Sequence, residues 1–147
     1  MKYSTELIID LPREKVVELF NNEENLFKWL KGLESFDHIS GNKGEAGAVS
    51  KMVVKSGKRE MEMKETIMKV NLPEGINFLY EGKGVQNWND HIFTNEGESK
   101  TKWTQNNVFK MKGIMKIFGF FMPGMFKKQT AKHMNDFKEF AEKEAKA

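Results

Sequence analysis

Six segments with strand-like alternation of polar and apolar residues follow one another between residues 33 and 111, and only short turns separate them. The segments are LESFDHIS, AVSKMVVKS, REMEMKETIMKV, INFLYEGK, VQNWNDHIFT and SKTKWTQNNVFKM. Glycine or proline marks the turns, as in SGK at residues 56–58 and LPEG at residues 72–75. Because consecutive strands with short connections pair as neighbours, the pattern predicts an antiparallel meander.

The segments on either side of the meander complete the fold. YSTELIIDL alternates like a strand, and PREKVVELFNN and EENLFKWLKG have the apolar spacing of two short helices. A C-terminal helix is predicted to include at least residues 127–142, with a kink or break at Pro123-Gly124. We therefore expect one α+β domain over residues 1–147, with a curved seven-stranded antiparallel sheet wrapped around a long C-terminal helix.

Composition excludes several classes of function. The chain has no cysteine, which rules out a disulfide scaffold and a thiolate site. Its net charge is +3, but only two basic residues are arginines and the lysines alternate with acids, so we expect no nucleic-acid partner. The N-terminal residues lack the apolar core of a signal peptide, and a cytoplasmic protein is the expectation.

The segment GIMKIFGFFMPGMF, residues 113–126, carries Lys116 as its only charge. A membrane-spanning helix needs about 20 apolar residues, so this shorter, interrupted segment predicts no stable membrane insertion. Its mixture of methionine and phenylalanine favours the wall and lid of a ligand cavity over a solid core. Some of these side chains are also candidates for transient contact with a membrane.

Strand alternation places a set of polar residues on the inner face of the sheet. Gln105 and Asn107 share a face with Trp103, and Glu65 shares one with Met63. On the neighbouring strand the face with Asn89 and His91 is the candidate, although the face with Trp88 and Ile92 remains an alternative. So many buried polar groups favour a hydrated or ligand-filled pocket. The predicted ligand-binding residues are Met63, Glu65, Asn89, His91, Trp103, Gln105, Asn107, Phe118, Phe121, Met122, Phe126, Gln129 and His133.

A polar end of this pocket is predicted from helix and strand geometry together. Gln129 and His133 are one helical turn apart and therefore neighbours. A helix that covers the face of Gln105 and Asn107 brings the two pairs together. Amides and a neutral imidazole both donate and accept hydrogen bonds, which suits a carbonyl or hydroxyl group on the ligand.

Motifs for cofactors and catalysis are missing from the sequence. Gly82-Lys83-Gly84 lacks the third glycine of a dinucleotide-binding loop, and no GxSxG segment is present. The three histidines lack HExxH spacing. We therefore expect no cofactor and no metal, and the sequence assigns no catalytic residue.

The whole chain resembles the polyketide cyclase and START-like (SRPBCC) superfamily, which has the helix-grip fold and includes the birch pollen allergen. The resemblance lies in ELIIDLPREKVVELF, in KETIMKV with LPEGINFLY, in SKTKWTQNNVF and in KKQTAKHMNDFKEFAEK. It implies a cavity between the sheet and the long helix, which in similar proteins holds lipids, sterols, quinones, polyketides or plant hormones. Similar proteins are carriers or enzymes and share no universal catalytic residues.

Binding or transport of a hydrophobic small molecule is the function that we expect from these observations. The alternative is a cyclase or dehydratase that uses His133, His91 or Glu65 as acid-base groups. A protein-interaction module with the same fold is a third class, for which the sequence shows no partner surface. The sequence predicts no oligomeric state.

Overall fold

Seven strands and four helices make up the computed structural model, which describes residues 1–146. The order along the chain is β1 (Lys2–Ile9), α1 (Arg13–Phe20), α2 (Glu23–Trp29), β2 (Leu33–Ser40), β3 (Val49–Ser56), β4 (Arg59–Asn71), β5 (Gly75–Gly82), β6 (Val85–Glu96), β7 (Lys100–Met111), α3 (Ile114–Phe121) and α4 (Pro123–Glu144).

All seven strands form a single antiparallel sheet in the order β1-β7-β6-β5-β4-β3-β2. From β2 to β7 each strand pairs with the next one along the chain, which confirms the predicted meander. The first strand pairs with the last, from Lys2 opposite Val108 to Ile9 opposite Thr101. The segment with α1 and α2 therefore leads from β1 at one edge of the sheet to β2 at the other.

The long helix α4 lies along the first strand and runs in the same direction. Near its start, the Tyr3 hydroxyl is 2.7 Å from Thr130 Oγ1. Near its end, Glu142 accepts a hydrogen bond of 2.8 Å from the Asp10 backbone N–H. These polar contacts at both ends fix the helix over the β1 edge, so that its buried residues Met134, Phe137 and Ala141 face the sheet.

An aromatic cluster fills the space between the sheet, α1, α2 and the second half of α4. Phe137 contacts Phe20, Trp29 and Trp103 with ring centroids 5.1–5.7 Å apart. Most of these contacts have the edge-to-face geometry that aromatic pairs prefer. The cluster is a packed core, and it holds the two short helices and α4 on the same side of the sheet.

The chain bends at Met122, where α3 ends and α4 begins with Pro123. Proline has no N–H to donate and a fixed φ, so it suits the first position of a helix and cannot continue the preceding one. The predicted break at Pro123-Gly124 is confirmed. The predicted helix of residues 127–142 is also confirmed within α4.

Candidate functional site

Strand register decides which side chains of β6 and β7 point toward α4. Asn89, His91 and Phe93 are buried, whereas Trp88 and Ile92 are exposed on the outer face. On β7, Trp103, Gln105 and Asn107 are buried, as the alternation predicted. Because Asn89 pairs with Asn107 and His91 with Gln105, the buried polar residues of the two strands are direct neighbours.

Four amide side chains form a hydrogen-bonded network on this inner face. The Asn89 Nδ2 group donates to Gln105 Oε1 and to Asn107 Oδ1, both at 2.7 Å. Asn107 donates to the same Gln105 oxygen at 3.3 Å, and Asn87 donates to Asn107 Oδ1 at 3.0 Å. Such mutual bonding satisfies many of the polar atoms and holds the side chains in fixed orientations.

On the buried residues of the network, two groups keep bonding capacity. Within residues 1–146, Asn89 Oδ1 accepts no hydrogen bond and Gln105 Nε2 donates none. Both belong to buried side chains, but neither atom is itself fully buried, so each is accessible to a bound molecule. The buried residues Asn89 and Gln105 therefore present one acceptor and one donor group to a further partner.

Glu65 is a buried carboxyl group on the same face of the sheet, at the junction of β3, β4 and β5. It lies opposite Tyr80 on β5, and the Tyr80 hydroxyl donates to its Oε2 at 2.9 Å. Burial is the main cause that raises the pKa of Glu65 to about 7; the Tyr80 hydrogen bond lowers the pKa and the negative charge of Glu23 raises it, and that value is the net result. Near neutral pH the group is therefore close to half protonated.

His91 is held by aromatic neighbours. Trp103 Nε1 donates to its Nδ1 at 3.1 Å, and the rings of Phe20 and Phe78 pack against it. Burial lowers the pKa of His91 to about 3, so the imidazole is neutral at physiological pH. An acid-base role for His91, one of the alternatives from the sequence, is disfavoured by this environment, in which the ring is a packed hydrogen-bond acceptor.

The second half of the predicted polar end lies on α4. Gln129 Nε2 and His133 Nε2 are 3.1 Å apart, as expected for residues one turn apart. Phe137 packs on Trp103 and Phe126 on Phe109, so the helix passes Gln105 and Asn107 between these two contacts. Gln129 is exposed, contrary to the predicted inner position, and His133 is half-buried. No hydrogen bond within residues 1–146 joins either side chain to the amide network.

The residues predicted to form an apolar wall do not all point into the interior. Phe118 and Phe126 are half-buried and contact each other, and Met63 is half-buried on β4. Phe121 and Met122 are exposed, so the expectation that they point into an interior was wrong. The break after Phe121 is the reason: α3 is a separate helix, and Phe121 lies on its outward side. Trp103 belongs to the aromatic core and lies at its centre.

Several inner-face residues were not among the predicted site residues. Tyr80, Asn87 and Phe109 lie in one row across the sheet with Glu65, because the register pairs Tyr80 with both Glu65 and Asn87 and pairs Asn87 with Phe109. Alternation within a single strand does not reveal such rows. The pairing of neighbouring strands, once the turns fix it, was the signal that could have found them.

Surface concavities formed by the described residues include one on each side of the sheet. One, of about 690 Å³, lies on the outer face of the sheet and includes Met68, Trp88 and Ile92. The other, of about 640 Å³, lies between α3 and the end of β7 and includes Phe109, Met111 and Phe121. Phe109 and Met111 alternate in phase with Asn107 and form one wall of the second concavity, and exposed residues of α3 form the other.

Residues 1–146 contain neither a metal site nor a membrane-spanning helix. In residues 1–146 no group of three or more His, Cys, Asp or Glu side chains is arranged to hold a metal ion. No helix in the described part of the chain is long and apolar enough to cross a membrane.

Comparison with known proteins finds similarity at the level of structure. No protein-family model and no curated protein sequence matches this chain. A conserved protein from Geobacillus kaustophilus superposes with a TM-score of 0.83 at 15% identity, over 97% of this chain and 96% of that one. An aromatase/cyclase from Streptomyces sp. R1128 superposes with a TM-score of 0.80 at 10% identity, over 99% and 95% of the two chains.

A third similar structure is norcoclaurine synthase from Thalictrum flavum in complex with dopamine and hydroxybenzaldehyde. Its TM-score is 0.73 at 15% identity, over 95% of this chain and 85% of that one. At these identities the similarity establishes the fold, and the fold agrees with the one that the sequence predicted.

We predict that Glu65→Gln changes how stability depends on pH. The pKa of Glu65 is about 7 in the folded protein, against an ordinary value of 4.5. As the pH rises, the carboxyl group therefore ionises at a lower pH in the unfolded chain than in the folded one. The wild type should therefore lose up to about 3 kcal/mol of stability from this group as the pH rises from 4.5 to about 7. Glu65→Gln should remove this loss, as measured by urea unfolding at several pH values.

The control for this prediction is Glu60→Gln, an exposed residue on the same strand. Its stability should follow the wild-type curve across the window. The lowered pKa of His91 reduces stability as pH falls below 6.5. This contribution is the same in the wild type and both variants, so it cancels in the difference between their unfolding free energies. A Glu65→Gln curve parallel to that of the wild type would contradict the buried-carboxyl assignment.

Proposed function

We propose that this chain, which has the helix-grip fold of the polyketide cyclase and START-like superfamily, binds a hydrophobic small molecule between the inner face of its sheet and α4. The amide network of Asn87, Asn89, Gln105 and Asn107 is the observation that carries the proposal. The four amides hold one another in place, and Asn89 Oδ1 and Gln105 Nε2 are left accessible and without a protein partner. A polar group of a bound molecule can bond to both.

The chemistry of the network selects the polar part of the ligand. Asn89 Oδ1 supplies an acceptor and Gln105 Nε2 supplies a donor, and neither carries a charge. A hydroxyl group of the ligand can donate to Asn89 Oδ1 and accept from Gln105 Nε2, and a carbonyl group can accept from Gln105 Nε2. A carboxylate would be buried without a cation, because within residues 1–146 no lysine or arginine side chain bonds to the network.

An apolar surface continues from the amides toward the ends of the strands. Met63 Cγ and Val85 Cγ1 lie beside Gly82, which has no side chain to fill the space between them. Phe109 and Met111 extend the same face on β7. Methionine and aromatic side chains adapt to irregular apolar molecules, so this surface suits the hydrocarbon part of the ligand.

The structural comparisons support a small-molecule site without identifying the ligand. Norcoclaurine synthase is similar in fold and was solved with dopamine and hydroxybenzaldehyde, two small aromatic molecules. The similar Streptomyces protein is an aromatase/cyclase. One fold supports many functions, so the proposal for this chain rests on its own amides and apolar surface.

The proposal predicts that the protein distinguishes a ketone from an alkane of equal length. Undecan-2-one and undecane would each compete with a neutral fluorescent probe such as Nile red, and the wild type should prefer the ketone. Gln105→Met should reduce this preference by about tenfold, because a buried hydrogen bond contributes about 1 kcal/mol and an unmade one costs more.

The matched control is Gln86→Met, the same substitution on the outer face, where Gln86 bonds to Glu81. It should leave the ratio of the two affinities unchanged. The ratio within one protein is the readout, so a general loss of stability in Gln105→Met does not imitate the effect. Equal losses for ketone and alkane would place the polar end of the ligand elsewhere.

A second candidate function is favoured by Glu65 and Tyr80. Their hydrogen bond of 2.9 Å and the pKa of Glu65 of about 7 suit general acid-base catalysis on a bound carbonyl compound. In this reaction the Glu65 carboxylate removes a proton from the carbon between two carbonyl groups. The resulting enolate takes a proton back, and the carboxylate is regenerated.

Hydrogen-deuterium exchange of a long-chain β-diketone in D₂O tests the second candidate. The wild type should accelerate exchange above the buffer rate, with the acceleration rising through about pH 7 as Glu65 ionises. Glu65→Gln should abolish the acceleration and retain binding of the diketone. Exchange at the buffer rate in the wild type, with the diketone bound, would leave binding as the only function.

A further inference from the structure

The helix α3 has apolar residues on the side that faces solvent. Ile114, Ile117, Phe120 and Phe121 are 81%, 59%, 78% and 74% exposed. At 100° per residue these four side chains cover about a third of the helix circumference. No residue of this eight-residue helix is buried.

The opposite side of α3 rests on the protein. Gly119 lies against Met111 and Met1, and Met115 lies against Gly84 in the turn between β5 and β6. Phe118 packs against Phe126 at the start of α4, with ring centroids 6.1 Å apart. These contacts fix which side of the helix faces outward, so the exposed apolar face is a feature of the folded chain.

The surroundings of this face are basic. From Ser99 to Asn135 the chain has eight lysines and no aspartate or glutamate. Five of the lysines lie next to α3 or on it, and all five are exposed: Lys110, Lys112, Lys116, Lys127 and Lys128. The result is an apolar face within a field of positive charge.

We propose that α3 docks the protein on the surface of an anionic lipid bilayer. The four apolar side chains, which have no hydrogen-bonding groups, would lie among the acyl chains, and the five lysines would contact the anionic headgroups. Together these are the features of an interfacial helix, which gains affinity from buried apolar area and from electrostatic attraction. The proposal does not depend on the proposed function.

A second copy of this chain fits the face less well than a bilayer does. In a twofold contact the same patch meets itself, so the lysines of one copy would face those of the other. A lipid surface instead supplies negative charge over its whole area. Charge complementarity therefore favours the bilayer over self-association.

Vesicle cosedimentation tests the proposal on the full chain. The wild type should bind vesicles of phosphatidylcholine with phosphatidylglycerol, and should bind pure phosphatidylcholine about tenfold more weakly or not at all. F120A/F121A and K116Q/K127Q/K128Q should each reduce partitioning to the anionic vesicles by about tenfold. Added salt should weaken binding of the wild type.

The matched controls make the same number of substitutions at positions away from α3. F27A/I39A removes two other exposed apolar side chains, and K28Q/K69Q/K100Q removes the same three charges elsewhere. Both should bind within about twofold of the wild type. Circular dichroism on every variant should show the wild-type fold, because Phe120 and Phe121 are mostly exposed.

Three outcomes would overturn the proposal. The first is a wild type that does not bind the anionic vesicles. The second is equal binding by the wild type and F120A/F121A. The third is a dimer in light scattering that F120A/F121A converts to a monomer, which would show that a second copy covers the face.

Discussion

The packing of Phe137 against Trp103 is the interaction on which the remaining structure depends. It joins the last helix to the last strand, and through Phe20 and Trp29 it also holds α1 and α2. This aromatic cluster closes one end of the space between the sheet and α4. At the other end the inner face carries amides, a buried carboxyl group and methionines, and α4 passes over the amides between two aromatic contacts.

Much of the fold was predictable because it depends on local patterns. Alternation and glycine-rich turns predict the meander. The same alternation predicts that Trp103, Gln105 and Asn107 lie on its inner face. Proline at residue 123 gave the break between the last two helices. The sequence does not decide which face of β6 points inward, because Asn89 and Trp88 are each compatible with either side until the register with β7 is known.

The parts that were not predicted depend on contacts distant in sequence. The apolar composition of residues 113–126 predicts an interior position for Phe121. The helix α3 instead packs on Met1, Met111 and the turn at Gly84, and this packing directs Phe121 outward. His91 looked like a candidate acid-base group until its environment of Phe20, Phe78 and Trp103 was known. Neither environment follows from the period of a strand or a helix.

The most direct test of the proposed binding site is an NMR titration that follows the methyl groups of the ten methionines. Met52 and Met63 are paired on the inner face of β3 and β4, whereas Met68 lies in the concavity on the outer face. Addition of a medium-chain ketone to the ¹³C-methyl-labelled protein should shift the signals of Met52 and Met63 and leave that of Met68 unchanged. A shift of Met68 with no change at Met52 and Met63 would contradict a ligand between the sheet and α4.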